Sequence, residues 1–144
     1  MIIQTKYHGE MEAADTELWH FQNGIPGFPE EKRFFLYPLG KEETFSILQS
    51  ADEQQIAFVV TNPFAFFPNY DFSIDEASVA ALELEKAEDA LPYVIWTLGE
   101  TMDKSTANLQ APVILNTKNR SGKQIILHDT AYTTKHSIQK KSET

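Results

Sequence analysis

Nine short apolar runs divide this chain, and none is longer than six residues. They are Ile2–Tyr7, Glu17–Phe21, Arg33–Tyr37, Phe45–Gln49, Ile56–Thr61, Asp71–Ile74, Tyr93–Leu98, Pro112–Asn116 and Gln124–His128. Most are rich in Val, Ile, Phe and Tyr, side chains that suit a pleated, half-buried surface. Strand-length runs with turn residues between them predict a mainly β chain, a single-domain antiparallel β-barrel or sandwich with one or two short helices. Ala57–Val60 and Val113–Leu115 are apolar on both faces and are expected to be central strands. Glu42–Thr44 and Lys123–Gln124 read as strand starts. A chain of 144 residues fits one domain and buries roughly two-thirds of its unfolded surface. The expected domain is 1–136, with a polar tail at 137–144; the stretch after Tyr132 has no apolar pattern and is expected to fray.

One segment reads as helix. Ser73 can cap it, and Glu76 follows at the capping-box spacing. Ile74, Ala77, Ala81 and Leu84 recur at helical intervals, and Asp75 and Glu76 suit the positive end of the dipole. The segment is expected to stop before Pro92, with Glu83, Glu85, Glu88 and Asp89 forming an acidic, solvated side.

Two proline-marked segments stand out among the connections. In Asn23-Gly24-Ile25-Pro26-Gly27-Phe28-Pro29, Pro26 fixes φ near −65° and Gly27 tolerates positive φ, which predicts a type II turn over Ile25–Phe28. Ile25 and Phe28 are expected to clamp that turn onto the core, with Pro26-Gly27 at the tip. In 62–70, the aromatics Phe64, Phe66, Phe67 and Tyr70 lie between and just after Pro63 and Pro68. The prolines forbid a helix interior or a central strand there. The phenylalanines then either plug one end of a barrel or form an exposed anchor for a partner. Trp19 and Trp96 fall in predicted strands and read as core.

Catalytic signals are weak. The chain has no cysteine, which removes disulfides, thiol catalysis and thiolate metal sites and fits a reducing cytoplasm. His8, His20, His128 and His136 show no ligand spacing, no Gly-x-Gly loop is present, and no Gly-x-Ser-x-Gly elbow accompanies His128-Asp129. The carboxylate pairs Glu30-Glu31, Glu42-Glu43 and Asp52-Glu53 read as solvated loop neighbours. Asn119-Arg120-Ser121 matches a glycosylation acceptor, but the first residues lack the pattern of a secretion signal. No apolar run reaches the roughly 20 residues of a membrane span. A soluble, cytoplasmic, non-enzymatic protein with no cofactor is expected.

Charge adds a direction. Net charge is −9, divided as −14 over residues 1–103 and +5 over 104–144. An acidic body argues against direct nucleic-acid binding and suits a basic partner. The cluster Lys118, Arg120 and Lys123 reads as a solvated hairpin turn between Val113–Leu115 and Ile125–Leu127.

Four blocks carry a family resemblance. Phe21-Gln22-Asn23-Gly24-Ile25-Pro26-Gly27-Phe28 resembles the opening element of the flagellar assembly factor FliW family. Leu48-Gln49-Ser50 with Ala57-Phe58-Val59-Val60 resembles its next block, as does the aromatic run ending at Pro68-Asn69-Tyr70. Thr106–Asn116 with Gly122-Lys123-Gln124 resembles its closing block. The family usually carries an acidic residue where Asn69 stands. The resemblance implies a small non-catalytic β-barrel that binds CsrA, a small dimeric RNA-binding translational repressor, and relieves repression of flagellin synthesis. It also implies binding of newly made flagellin in competition with CsrA. Expected partner-binding residues are Ile25, Pro26, Phe28, Phe64, Phe66, Phe67, Tyr70, Glu83, Glu85, Glu88 and Asp89. The chain is expected to be a monomer that touches neither nucleic acid nor membrane. A small-ligand or flavin-binding barrel, and an RNA-binding barrel using Lys118, Arg120 and Lys123, remain as alternatives.

Overall fold

A computed structural model of the chain describes residues 1–40, 44–128 and 130–137. The expected strand start at Glu42–Thr44 and the expected tail fall largely outside them. Strands β1 (Ile2–Gln4) and β2 (Glu10–Glu12) pair as an antiparallel hairpin of their own. The main sheet contains β3 (Leu18–His20), β4 (Arg33–Pro38), β5 (Ser46–Ser50) and β6 (Ala57–Thr61). Helix α1 (Glu76–Leu82) then intervenes, followed by β7 (Ala90–Thr97), β8 (Thr106–Ala107), β9 (Val113–Asn116), β10 (Ser121–Gln124) and β11 (His136–Ser137).

Seven strands close a barrel in the order β3, β4, β5, β6, β7, β9, β10 and back to β3. Six of these pairings are antiparallel, and β3 with β10 is parallel. The expected antiparallel barrel forms, with one exception set by parity: an odd ring of alternating strands must contain one pair that runs the same way. That seam is a single bridge, Ser121 opposite His20. It is fastened from the side. His20 N donates to Arg120 O at 2.8 Å, and the Arg120 guanidinium lies 3.8 Å over the Trp19 ring. Arg120 also donates to the Leu18 and Glu17 carbonyls. Lys123 Nζ donates to Ser78 Oγ at 2.9 Å. The expected solvated basic hairpin is thus mostly structural; of its three cations, Lys118 alone is exposed. The hairpin also pairs in another register, with Asn116 opposite Ser121 and Val113 opposite Gln124. Beyond it, Ile125 N and Leu127 N continue to donate, to Pro112 O and Gln110 O.

Successive residues along a strand point to opposite faces, so the wall strands other than β10 feed two apolar clusters. Phe34, Leu48, Val60, Val113 and Leu115 join Trp19, Phe21 and Ile25 on one side. Phe35, Tyr37, Ile47, Val94, Trp96 and Ile114 gather Phe67, Tyr70, Leu82 and Leu127 on the other.

Gln49, fully buried on β5, orders what lies outside the wall. Its Oε1 accepts from Lys6 N at 2.8 Å, and its Nε2 points at the carbonyls of Ser50, Glu53, Gln54 and Ile56. Ser50 Oγ accepts from Asp52 N and Glu53 N. The Leu48-Gln49-Ser50 block therefore fixes the loop to β6 and ties the N-terminal hairpin to the barrel.

Of the expected strands, Gln124–His128 keeps only Gln124, at the end of β10, and two others depart from expectation for physical reasons. Asp71–Ile74 keeps the burial alternation of a strand, with Phe72 and Ile74 half-buried, but forms no ladder with any described strand. Its Asp71 N–H goes instead to the Tyr132 hydroxyl at 3.0 Å. β7 starts three residues before Tyr93 and passes through Pro92. Pro92 is tolerated because Ala90–Tyr93 pairs with β9 on one side, while β6 begins to pair only at Val94.

The helix is capped by Asp75 rather than Ser73. Asp75 Oδ2 accepts from Ser78 N at 3.0 Å and Oδ1 from Ser78 Oγ at 2.7 Å. The Ser78 hydrogen bonds hold the Asp75 carboxyl below its usual pKa. Asp75→Ala is expected to cost about 1 kcal/mol, and Ser73→Ala no more than a few tenths; urea unfolding of the two variants checks the difference.

Candidate functional site

The two expected interaction segments lie on different faces. The Ile25–Phe28 turn forms as expected: Phe28 N donates to Ile25 O at 2.6 Å and Gly27 has φ 90°. Ile25 is buried beneath it. Phe28 is 39% exposed and rests on Phe58 at 5.7 Å, so one end of the turn is clamped and the other is open. Pro26 is exposed at the tip.

The 62–70 segment belongs to the opposite cluster and resolves the earlier ambiguity residue by residue. Asn62 Oδ1 accepts from Phe64 N at 2.9 Å, which starts the 3-10 turn Pro63–Ala65. Phe67 stacks on Trp96 at 6.0 Å and is buried, while half-buried Phe66 packs edge-on to Trp96 at 5.0 Å. Tyr70 is buried and donates to Leu109 O at 2.7 Å; burial pushes its hydroxyl well above the usual phenol range. Phe67 and Tyr70 are therefore packed into the core rather than openly exposed. Phe64 is 44% exposed and is the open anchor of the four.

Beside Phe64 lies a groove of about 520 Å³. Tyr70, Phe72 and Ile74 line it together with Leu84, Glu85, Ala87, Pro92 and Ile114. Ala90 and Pro92 in this lining belong to the half of β7 that lacks a second neighbour. The groove brings together Phe64, Tyr70 and Glu85 from the expected set and leaves Ile25, Pro26, Phe28, Phe66 and Phe67 outside it. Phe72, Ile74, Leu84 and Pro92 were not expected there. For Phe72 and Ile74 the one signal in the sequence was the apolar alternation of Asp71–Ile74, which also fits a paired strand.

The acidic corner is shorter than its helical reading. α1 ends at Leu82, because Glu83 adopts φ 57° and donates its N–H to Ala80 O and Val79 O. Glu85 and Glu88 therefore stand on the following loop, and both are exposed with Glu83. Asp89 is buried at 8% and leaves the solvated set, since its turn packs against the start of β7 and its carbonyl accepts from Thr117 N. Among the described residues, Glu83, Glu85 and Glu88 form no ion pair within 4 Å. A non-glycine residue at a left-handed helix end is strained. Glu83→Gly is expected to raise stability by about 0.5–1 kcal/mol, read as a higher Tm, while removing one rim charge.

Among the described residues, no group of three His, Asp or Glu side chains is arranged to hold a metal ion, and no helix is long and apolar enough to cross a membrane.

The sequence profile of the FliW protein family matches residues 2–138. The chain belongs to the FliW family. It is 48% identical over 139 residues to the flagellar assembly factor FliW of Bacillus pumilus (strain SAFR-032), covering 96% of each chain. It is 47% identical over 138 residues to the FliW of Bacillus subtilis (strain 168), again with 96% of each covered. A crystal structure of the flagellar assembly factor FliW superposes with a TM-score of 0.92 at 42% identity, covering 98% of this chain and 99% of that one. The barrel is thus the FliW fold, and the four sequence blocks are parts of it. The Gly24 turn, the Gln49 loop, the aromatic segment and the β8–β10 region all contribute to the wall or its covering.

Proposed function

We propose that this FliW-family chain is a non-enzymatic cytoplasmic regulator that sequesters the translational repressor CsrA, relieves repression of flagellin synthesis, and binds flagellin as a chaperone-like partner. The observation that carries this reading is the uncompensated acidic surface: a net charge of −9, with Glu83, Glu85 and Glu88 exposed and free of ion pairs among the described residues. A repressor that holds RNA needs a cationic surface to neutralise phosphates. An acidic body docked beside that surface opposes an approaching RNA without covering every contact. Screening limits the reach to about 8 Å at physiological salt, so the acidic corner must sit close to the RNA path. On this reading the chain acts as a monomer and needs neither nucleic acid nor membrane.

Gel shifts of CsrA on a flagellin leader RNA test the proposal. Adding the protein is expected to weaken CsrA–RNA binding, and adding flagellin is expected to restore it. Unchanged CsrA–RNA affinity at saturating protein overturns the reading.

A further inference from the structure

The groove beside Phe64 does not end at the helix. It shares Val79, Leu84 and Glu85 with a shallower depression of about 470 Å³ whose wall adds Glu76 and Glu83. The two form one track that changes character along its length. It is aromatic at the Phe64 end and acidic at the Glu83 end. Asp71 and Glu85 stand along it, and Lys86 is the one cation among the described residues that line either part. No ion pair among the described residues neutralises these carboxylates. An apolar trough with unmatched charge at one end selects an occupant of complementary order.

We propose that this track is a docking site for a segment of a partner protein in which a bulky apolar anchor adjoins Lys or Arg side chains. The anchor seats against Phe64, Tyr70 and Phe72, and the cations lie over Glu83 and Glu85. Charge excludes the simpler occupants. An anionic lipid surface would meet like charge, and a second copy of this chain carries the same net charge of −9. The proposal rests on the reading of the protein as a partner-binding regulator and adds the chemistry of the recognised segment.

The test uses the full chain, isotopically labelled, and three synthetic peptides. The first carries a Leu-Phe anchor beside two lysines, the second replaces the lysines with glutamates, and the third replaces the anchor with serines. The first peptide alone is expected to shift the resonances of Phe72, Val79, Leu84 and Glu85. Its affinity is expected to fall about tenfold in the E83Q/E85Q double variant, and to fall further as salt shortens the Debye length toward about 3 Å. Phe64→Ser is expected to weaken it while leaving Tm unchanged, because that ring is exposed. Equal binding of the glutamate peptide, shifts confined to another face, or self-association abolished by the same variants overturns the proposal. Intact CsrA and flagellin, titrated in parallel, separate the two readings. If both bind the double variant as tightly as the parent chain, the track is wrong and the regulatory function stands. If neither binds the parent chain, the regulatory function falls, and the peptide result decides the track alone.

Discussion

Gln49→Glu is expected to lose about 4 kcal/mol of folding stability at neutral pH. The substitution is nearly isosteric, so the loss is electrostatic. In the native chain the amide nitrogen of Gln49 faces the carbonyls of Ser50, Glu53, Gln54 and Ile56. A carboxylate oxygen at that place meets four acceptors in a fully buried site and offers no proton. Burial raises the pKa of such a group, so the folded state prefers the protonated acid. The unfolded state ionises first, near pH 4.3, and stability falls as pH rises above that value. The deficit is therefore expected to shrink when unfolding is measured near pH 4, where the protonated acid can donate to one of the carbonyls. Gln49→Leu gives the contrast: about 2–3 kcal/mol lost, with no comparable recovery at low pH. Equal losses at both pH values for the glutamate variant would show that shape, not charge, sets the requirement.

Gly24→Ala is expected to cost about 2–4 kcal/mol, whereas Gly27→Ala costs about 1 kcal/mol. Both glycines have positive φ, 66° and 90°, so both substitutions strain the backbone. The difference lies in space. A Cβ on Gly24 would stand 2.5 Å from Phe28 O and 2.6 Å from Pro29 O, both backbone atoms that cannot rotate away. A Cβ on Gly27 meets nothing within 4 Å. The Gly24 variant must open the turn and lift Ile25 from its buried seat, so thermal unfolding should separate the two variants clearly. Similar Tm values for both would mean that the turn yields as a unit and that the close approach is not limiting.

The barrel was legible where a single strand signals its own environment. Ala57–Val60 and Val113–Leu115, apolar on both faces, became wall strands with an apolar cluster on each side. The sequence was silent on β2, β8 and β11, because two or three residues carry no period. It misdirected at Asp71–Ile74, because alternation reports which faces are buried and not whether a neighbour supplies hydrogen bonds. It shortened β7, because proline normally ends a central strand, and only the one-sided neighbourhood of Ala90–Tyr93 permits Pro92. The interaction surface was half legible for the same reason. The exposed Phe64 and the carboxylates Glu83 and Glu85 advertise themselves by type. The groove that joins them is made by three separate stretches, 64–79, 84–92 and Ile114. The fates of Phe66 and Phe67 depended on where Trp96 would lie, and that of Asp89 on Thr117.

The lone bridge between positions 20 and 121 carries a lesson for biosynthesis. A nascent chain that has exposed everything up to β9 is still an open, curled ribbon with two bare margins, because β10, which zips them together, has yet to be translated. Contacts so far apart in sequence form slowly, and unpaired margins invite intermolecular pairing. A chain truncated before Arg120 should therefore precipitate rather than persist as a smaller barrel, and competence to engage any partner should begin only once β10 has been made.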